Sequence, residues 1–93
     1  MTVELYWSRR ARTRLQEIRS FAALDKPAAA ERLAIRIVTV VEALREHPLL
    51  GRKGGEPGVR ELVIGGTPYI VHYRLSGNRV KIETIWHGAQ RRP

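Results

Sequence analysis

A chain of 93 residues with 43% apolar content has room for one domain, residues 1–93, and for a single core of two packed layers; a deep cleft with its own cofactor module is excluded. With no cysteine there are no disulfides and no thiolate metal sites. No apolar run approaches the roughly 20 residues that span a bilayer, and MTVELYWSRR lacks the apolar segment of a signal peptide, so a cytoplasmic protein without membrane contact is expected. Seventeen Lys and Arg against nine Asp and Glu give a net charge of +8, a surplus that keeps a small domain soluble and also predicts a polyanionic partner, either nucleic acid or an acidic protein segment.

Residues 2 to 7 alternate Val3, Leu5 and Trp7 with Thr2, Glu4 and Tyr6, the spacing of a strand. Ser8 is placed to cap a helix in which Ala11, Leu15, Ile18 and Ala22 form the apolar stripe. The other face carries Arg9, Arg10, Arg12, Arg14 and Arg19. Arg9 and Arg10 fall in the first turn, where each opposes the helix dipole at about 0.3–1 kcal/mol, and a broken local rule of this kind marks a candidate binding surface. Asp25, Lys26 and Pro27 punctuate. A second helix follows with the stripe Ala30, Leu33, Ala34, Ile37, Val40, Val41 and Leu44, ending at His47 before Pro48. The short connection predicts a helical hairpin.

PLLGRKGGEPG, residues 48 to 58, reads as a loop carrying Arg52 and Lys53. Three strands follow: VRELVI at 59 to 64, YIVHYRL at 69 to 75 and RVKIETIWH at 79 to 87. Their connections, GGTP and SGN, are hairpin-sized. The expected fold is α+β in the order β-α-α-β-β-β: a helical hairpin over one face of a small antiparallel sheet, with the N-terminal strand added to it.

Strand alternation sorts the sheet into two faces. Val80, Ile82, Thr84 and Trp86, with Tyr69, Val71, Tyr73 and Leu75, are expected beneath the helices; His72, Arg74, Lys81, Glu83 and His87 are expected on the open face. In the strand at 59 to 64, Arg60 alternates in phase with Leu62 and Ile64, which leaves its face undecided. An open face with Arg, Lys and His beside Arg52 and Lys53 can hold a phosphate backbone. It can also cut RNA, which requires a base for the 2′-OH, cations for the phosphorane and an acid for the leaving oxygen. A lone His on a strand is nonetheless more often structural, as His72 is read here. His47, His72 and His87 show no metal-ligand spacing, and GRKGGEPG neither follows a strand nor opens a helix, so no metal or cofactor is expected. Trp7, Tyr69, Tyr73 and Trp86 are read as core packing rather than as stacking platforms.

The linked segments PLLGRKG, VREL, TPYIVHYRL and IWHGAQRRP, in this order of elements, resemble the RelE/ParE superfamily of toxins from bacterial type II toxin–antitoxin modules over essentially the whole chain. The resemblance implies growth inhibition, plasmid stabilisation and a cognate antitoxin in a hetero-oligomer. The antitoxin would lay an extended acidic segment in the groove between helices and sheet and could engage Arg9, Arg10, Arg12 and Arg14. RelE-like members are metal-independent endoribonucleases that cut mRNA on the ribosome; by similarity His87, Arg60 and Arg74 would be catalytic in that branch. Ile70, however, stands where those nucleases carry an arginine, and Gly88 where some carry a tyrosine. ParE-like members, similar to poisons of DNA gyrase, are apolar at the Ile70 position and close the strand with a pattern like Trp86-His87. The expectation leans to that branch, with Arg52, Lys53, Lys81, Arg91 and Arg92 as target-binding residues. A non-toxic nucleic-acid-binding module is the remaining alternative.

Overall fold

Ser8 caps the first helix as the sequence predicts: in a computed structural model that describes residues 2–88, the Ala11 N–H donates to Ser8 Oγ at 2.9 Å. The strand before it is β1 (Glu4–Trp7), and the helices are α1 (Arg9–Ala23) and α2 (Pro27–Glu42). Pro27 occupies the first turn of α2, where its missing N–H leaves no bond unmade. The α-helix ends at Glu42, earlier than expected, but a 3₁₀ turn over Ala43–Arg45 continues the stripe and keeps Leu44 buried. An exposed ion pair between Arg19 and Glu31 joins the two helices.

The remaining strands are β2 (Arg52–Lys53), β3 (Val59–Val63), β4 (Tyr69–Ser76) and β5 (Arg79–His87), and the sheet order is β1-β5-β4-β3-β2. Ala11, Ile18, Ile37, Val41 and Leu44 from the helical side pack on Leu62, Ile64, Val71, Tyr73, Val80, Ile82 and Ile85. Each fully buried aliphatic side chain of this set stabilises the fold by about 1.5–3 kcal/mol. Among the described residues no helix is long and apolar enough to cross a membrane.

Three features differ from the antiparallel sheet read from the sequence. β1 runs parallel to β5, with Leu5 opposite Val80 and Trp7 opposite Ile82, so the sheet is mixed. Parallel pairing needs a long crossover, which the intervening helices and strands supply. Secondly, the segment read as a loop contributes β2, pairing Arg52 with Glu61 and Lys53 with Arg60.

The third difference decides the site. Tyr69 to His72 pair with His87 to Thr84, but Tyr73 pairs with Ile82, so Glu83 is an extra residue in β5. A bulge of this kind reverses the alternation beyond it. Val80 and Ile82 face the helices, and so do Ile85 and His87; Trp86 faces away, opposite Ile70. The expectation that Trp86 is a core residue and His87 an open-face residue is therefore corrected in both parts. The face of β3 is settled by its register: Arg60 lies opposite Tyr73 on the helical side, and Glu61 opposite His72 on the open side.

Candidate functional site

The bulge is held from the helical layer. Ser8 N–H donates to Ile82 O at 2.9 Å, and the Ser8 hydroxyl donates to Glu83 O at 2.8 Å, so the start of α1 is fastened to the point where β5 changes phase. This brings Arg10 to the rim of a recess of about 250 Å³ whose other walls include His72, Lys81, Glu83 and Trp86. Inside it the indole of Trp86 and the imidazole of His72 are stacked, with centroids 4.7 Å apart and planes 18° from parallel. Thr84, opposite His72, is buried on this same face. Arg74 shares the open face but is turned to carboxylates, 3.6 Å from Glu56 and 3.8 Å from Glu83.

Arg60 is a brace for the PLLG turn. Its guanidinium donates to Gly51 O at 2.7 Å and to Leu49 O at 3.4 Å. Beside it the buried Tyr73 hydroxyl accepts from Gly51 N–H at 2.9 Å and donates to Pro48 O at 2.8 Å. Burial pushes the Tyr73 phenol above its usual pKa, against the smaller opposing effects of the Gly51 N–H and the Arg60 charge. Only glycine fits at 51, since a Cβ there would come within 2.8 Å of both the Tyr73 hydroxyl and Glu61 O.

His87 lies on the helical side, edge-on to Tyr69 at 5.6 Å and 87°, in a recess with Arg14, Glu17, Ile18 and Phe21. Arg60 is opposite Tyr73 and His87 opposite Tyr69. Those tyrosines are four positions apart in one strand, about 13 Å. Arg74 points from the other face. The fold thus does not bring His87, Arg60 and Arg74 together. After His87, Gly88 N–H donates to Pro68 O at 2.6 Å, and a Cβ at that position would sit 3.3 Å from the same oxygen.

The remaining expected residues divide similarly. Arg52 is paired with Glu61 at 3.3 Å, Lys53 is exposed on β2, and Lys81 is in the open-face recess. Arg91 and Arg92 lie outside the described residues. On α1, Arg12 donates to Trp7 O at 2.7 Å, while Arg14 donates to Ile85 O at 3.1 Å and lies 3.6 Å from Glu17. Arg9 and Arg10 are exposed and make no hydrogen bond or ion pair with another described residue. Among the described residues no group of three or more His, Asp or Glu side chains is arranged to hold a metal ion. The residue missed by sequence reasoning is Trp86. Its signal was the adjacent apolar pair Ile85–Trp86, which breaks strict alternation.

Residues 5–92 match the family model described as the ParE toxin of the type II toxin–antitoxin system parDE. The chain is 45% identical over 87 residues to the putative toxin Y4kP of Sinorhizobium fredii, covering 94% of this chain and 90% of that protein. It is 34% identical to toxin RelE2 of Caulobacter vibrioides, covering 94% and 97%. Among solved structures, the chromosomal ParDE toxin–antitoxin system of P. aeruginosa aligns with a TM-score of 0.81 at 28% identity over 92% of this chain and 96% of that one. The RelBE2 toxin–antitoxin complex of Mycobacterium tuberculosis aligns with a TM-score of 0.70 over 94% and 99% at 19% identity, a likeness of fold.

Proposed function

The chain belongs to the ParE toxin family and is the toxin of a type II toxin–antitoxin module, and from that premise we propose that it acts by binding, as a poison of DNA gyrase, and not by cutting mRNA. The observation that carries this reading is the separation of His87, Arg60 and Arg74 across two faces and two ends of the sheet. Cleavage by a 2′-OH needs base, acid and phosphorane-stabilising cations around one phosphate. Here one cation braces a turn, another is neutralised by carboxylates, and the imidazole packs on Tyr69. Ile70, on the open face opposite Trp86, adds no charge where the nuclease branch carries one.

The antitoxin is assigned to the helical hairpin. Phe21, Leu24 and Ile35 are 73%, 84% and 62% exposed there, a set of apolar side chains that a partner segment would cover. Arg9 and Arg10, which pair with no other described residue, supply charge for its acidic residues, whereas Arg12 and Arg14 already hold backbone carbonyls.

Induction in cells separates the two modes. Gyrase poisoning produces cleaved DNA and loss of plasmid supercoiling, with mRNA intact at early times. Prompt codon-positioned mRNA cleavage with intact supercoiling would overturn the proposal.

A further inference from the structure

The open-face recess has the parts of a nucleotide-binding site, and of its rings and cations only Arg10 also enters the reading above, as charge for the antitoxin. Trp86 and His72 are both half-buried and stacked, and both line the recess, so ring surface is accessible within it. The packing of such a pair does not require exposure. A core role for Trp86 is available one position away, where Ile85 is taken instead because the Glu83 bulge turns Trp86 outward. Two cations stand at the rim, Arg10 and Lys81, and neither makes a hydrogen bond or ion pair with another described residue. Among the described residues the recess sets two cations, Arg10 and Lys81, against one acid, Glu83, which also lies 3.8 Å from Arg74, so the rim is positive.

We propose that the recess walled by Trp86, His72, Arg10 and Lys81 binds one nucleotide of a single-stranded nucleic acid, its base stacked on the Trp86–His72 pair and its phosphate between Arg10 and Lys81. An apolar peptide side chain would use the ring surface but not the cations, and an isolated phosphate would use the cations but not the rings. A base with its phosphate uses both. A volume of about 250 Å³ admits one splayed base, whereas in a duplex the bases stay stacked inside the helix and present only edges and phosphates. Stacking has no sequence requirement, because every base has a π-face, so the site takes a strand without reading it.

The inference goes beyond the choice of target, and its test uses neither gyrase nor ribosomes. The full chain is titrated into a labelled 12-nucleotide mixed-sequence DNA strand and binding is read by anisotropy. The same-length duplex and a free nucleoside monophosphate serve as competitors. Trp86→Leu weakens binding about tenfold, the loss of one stacked base. Arg10→Glu with Lys81→Glu weakens it further and lowers the slope of log affinity against log salt by roughly two phosphate contacts. Arg32→Glu, on the exposed face of α2, stays within about twofold of the parent and controls for the two-unit charge change that each rim substitution makes. Because Arg10 and Lys81 lie at the rim, their variants remain informative if Trp86→Leu unfolds. The proposal is overturned if the strand does not bind, if the rim variants bind like the parent, or if Arg32→Glu is as damaging as they are. Equal competition by duplex, or by the free monophosphate per nucleotide, overturns it as well.

Discussion

The hydroxyl of Ser8 donates to the carbonyl of Glu83 at 2.8 Å, so the residue that caps α1 also holds the residue that reverses the phase of β5. The consequence is a ranking that uninterrupted alternation would invert. Ile85 is fully buried and Trp86 is half-exposed. Ile85→Ala should cost about 2–5 kcal/mol, the range for emptying a packed aliphatic site, and Trp86→Ala distinctly less despite the larger side chain. Urea unfolding of the two variants decides the matter; a greater loss for Trp86→Ala would mean that β5 has no bulge in solution.

Tyr73→Phe leaves the buried Gly51 N–H without its acceptor and Pro48 O without its donor. The expected loss is about 1–3 kcal/mol, with the melting temperature falling about 4–8 °C per kcal/mol. The pH dependence has a definite sign. Burial raises the folded-state pKa of the phenol, so an unfolded chain ionises first as the pH passes about 10. The contribution of Tyr73 is whole below that pH and drains away as pH rises through the folded value. The gap between parent and variant should therefore narrow in alkaline melts, and a constant gap would remove this account of Tyr73.

Arg9 stands exposed in the first turn of α1 and makes no hydrogen bond or ion pair with another described residue. Arg9→Glu replaces a charge that opposes the helix dipole with one that favours it, which stabilises the folded state by about 0.3–1 kcal/mol. Affinity for the antitoxin, measured by calorimetry, should fall at the same time. A variant that gains stability and keeps its affinity would take Arg9 out of the antitoxin surface.

His87 packs edge-on against Tyr69 on the helical side, away from Arg74 and about 13 Å along the strand from the position of Arg60. Under the gyrase reading His87→Ala retains growth inhibition in an induction assay once its folding is confirmed by circular dichroism. Loss of killing from a folded variant that still binds antitoxin would restore the imidazole to the chemistry and undo that reading.

Much of the molecule was legible before any coordinate. Ser8 as a cap, Pro27 in the first turn, the stripe from Ala30 to Leu44 and the strands around His72 and Ile82 all follow from interactions within a turn or a strand, and their periodicity is written locally. So was the family, because PLLGRKG, TPYIVHYRL and IWHGAQRRP carry it as segments. The faces of the site were not. Arg60 could be placed only once Tyr73 was opposite it. Trp86 and His87 exchanged sides because Glu83 is an additional residue that β4 does not match. A bulge is a property of two paired strands and of what anchors it, here a serine 75 positions away, and no window along one strand contains that information. The sequence alone determined which residues have helical and strand periodicity and how much charge they carry; tertiary pairing decided which of those charges and rings meet, and on which face.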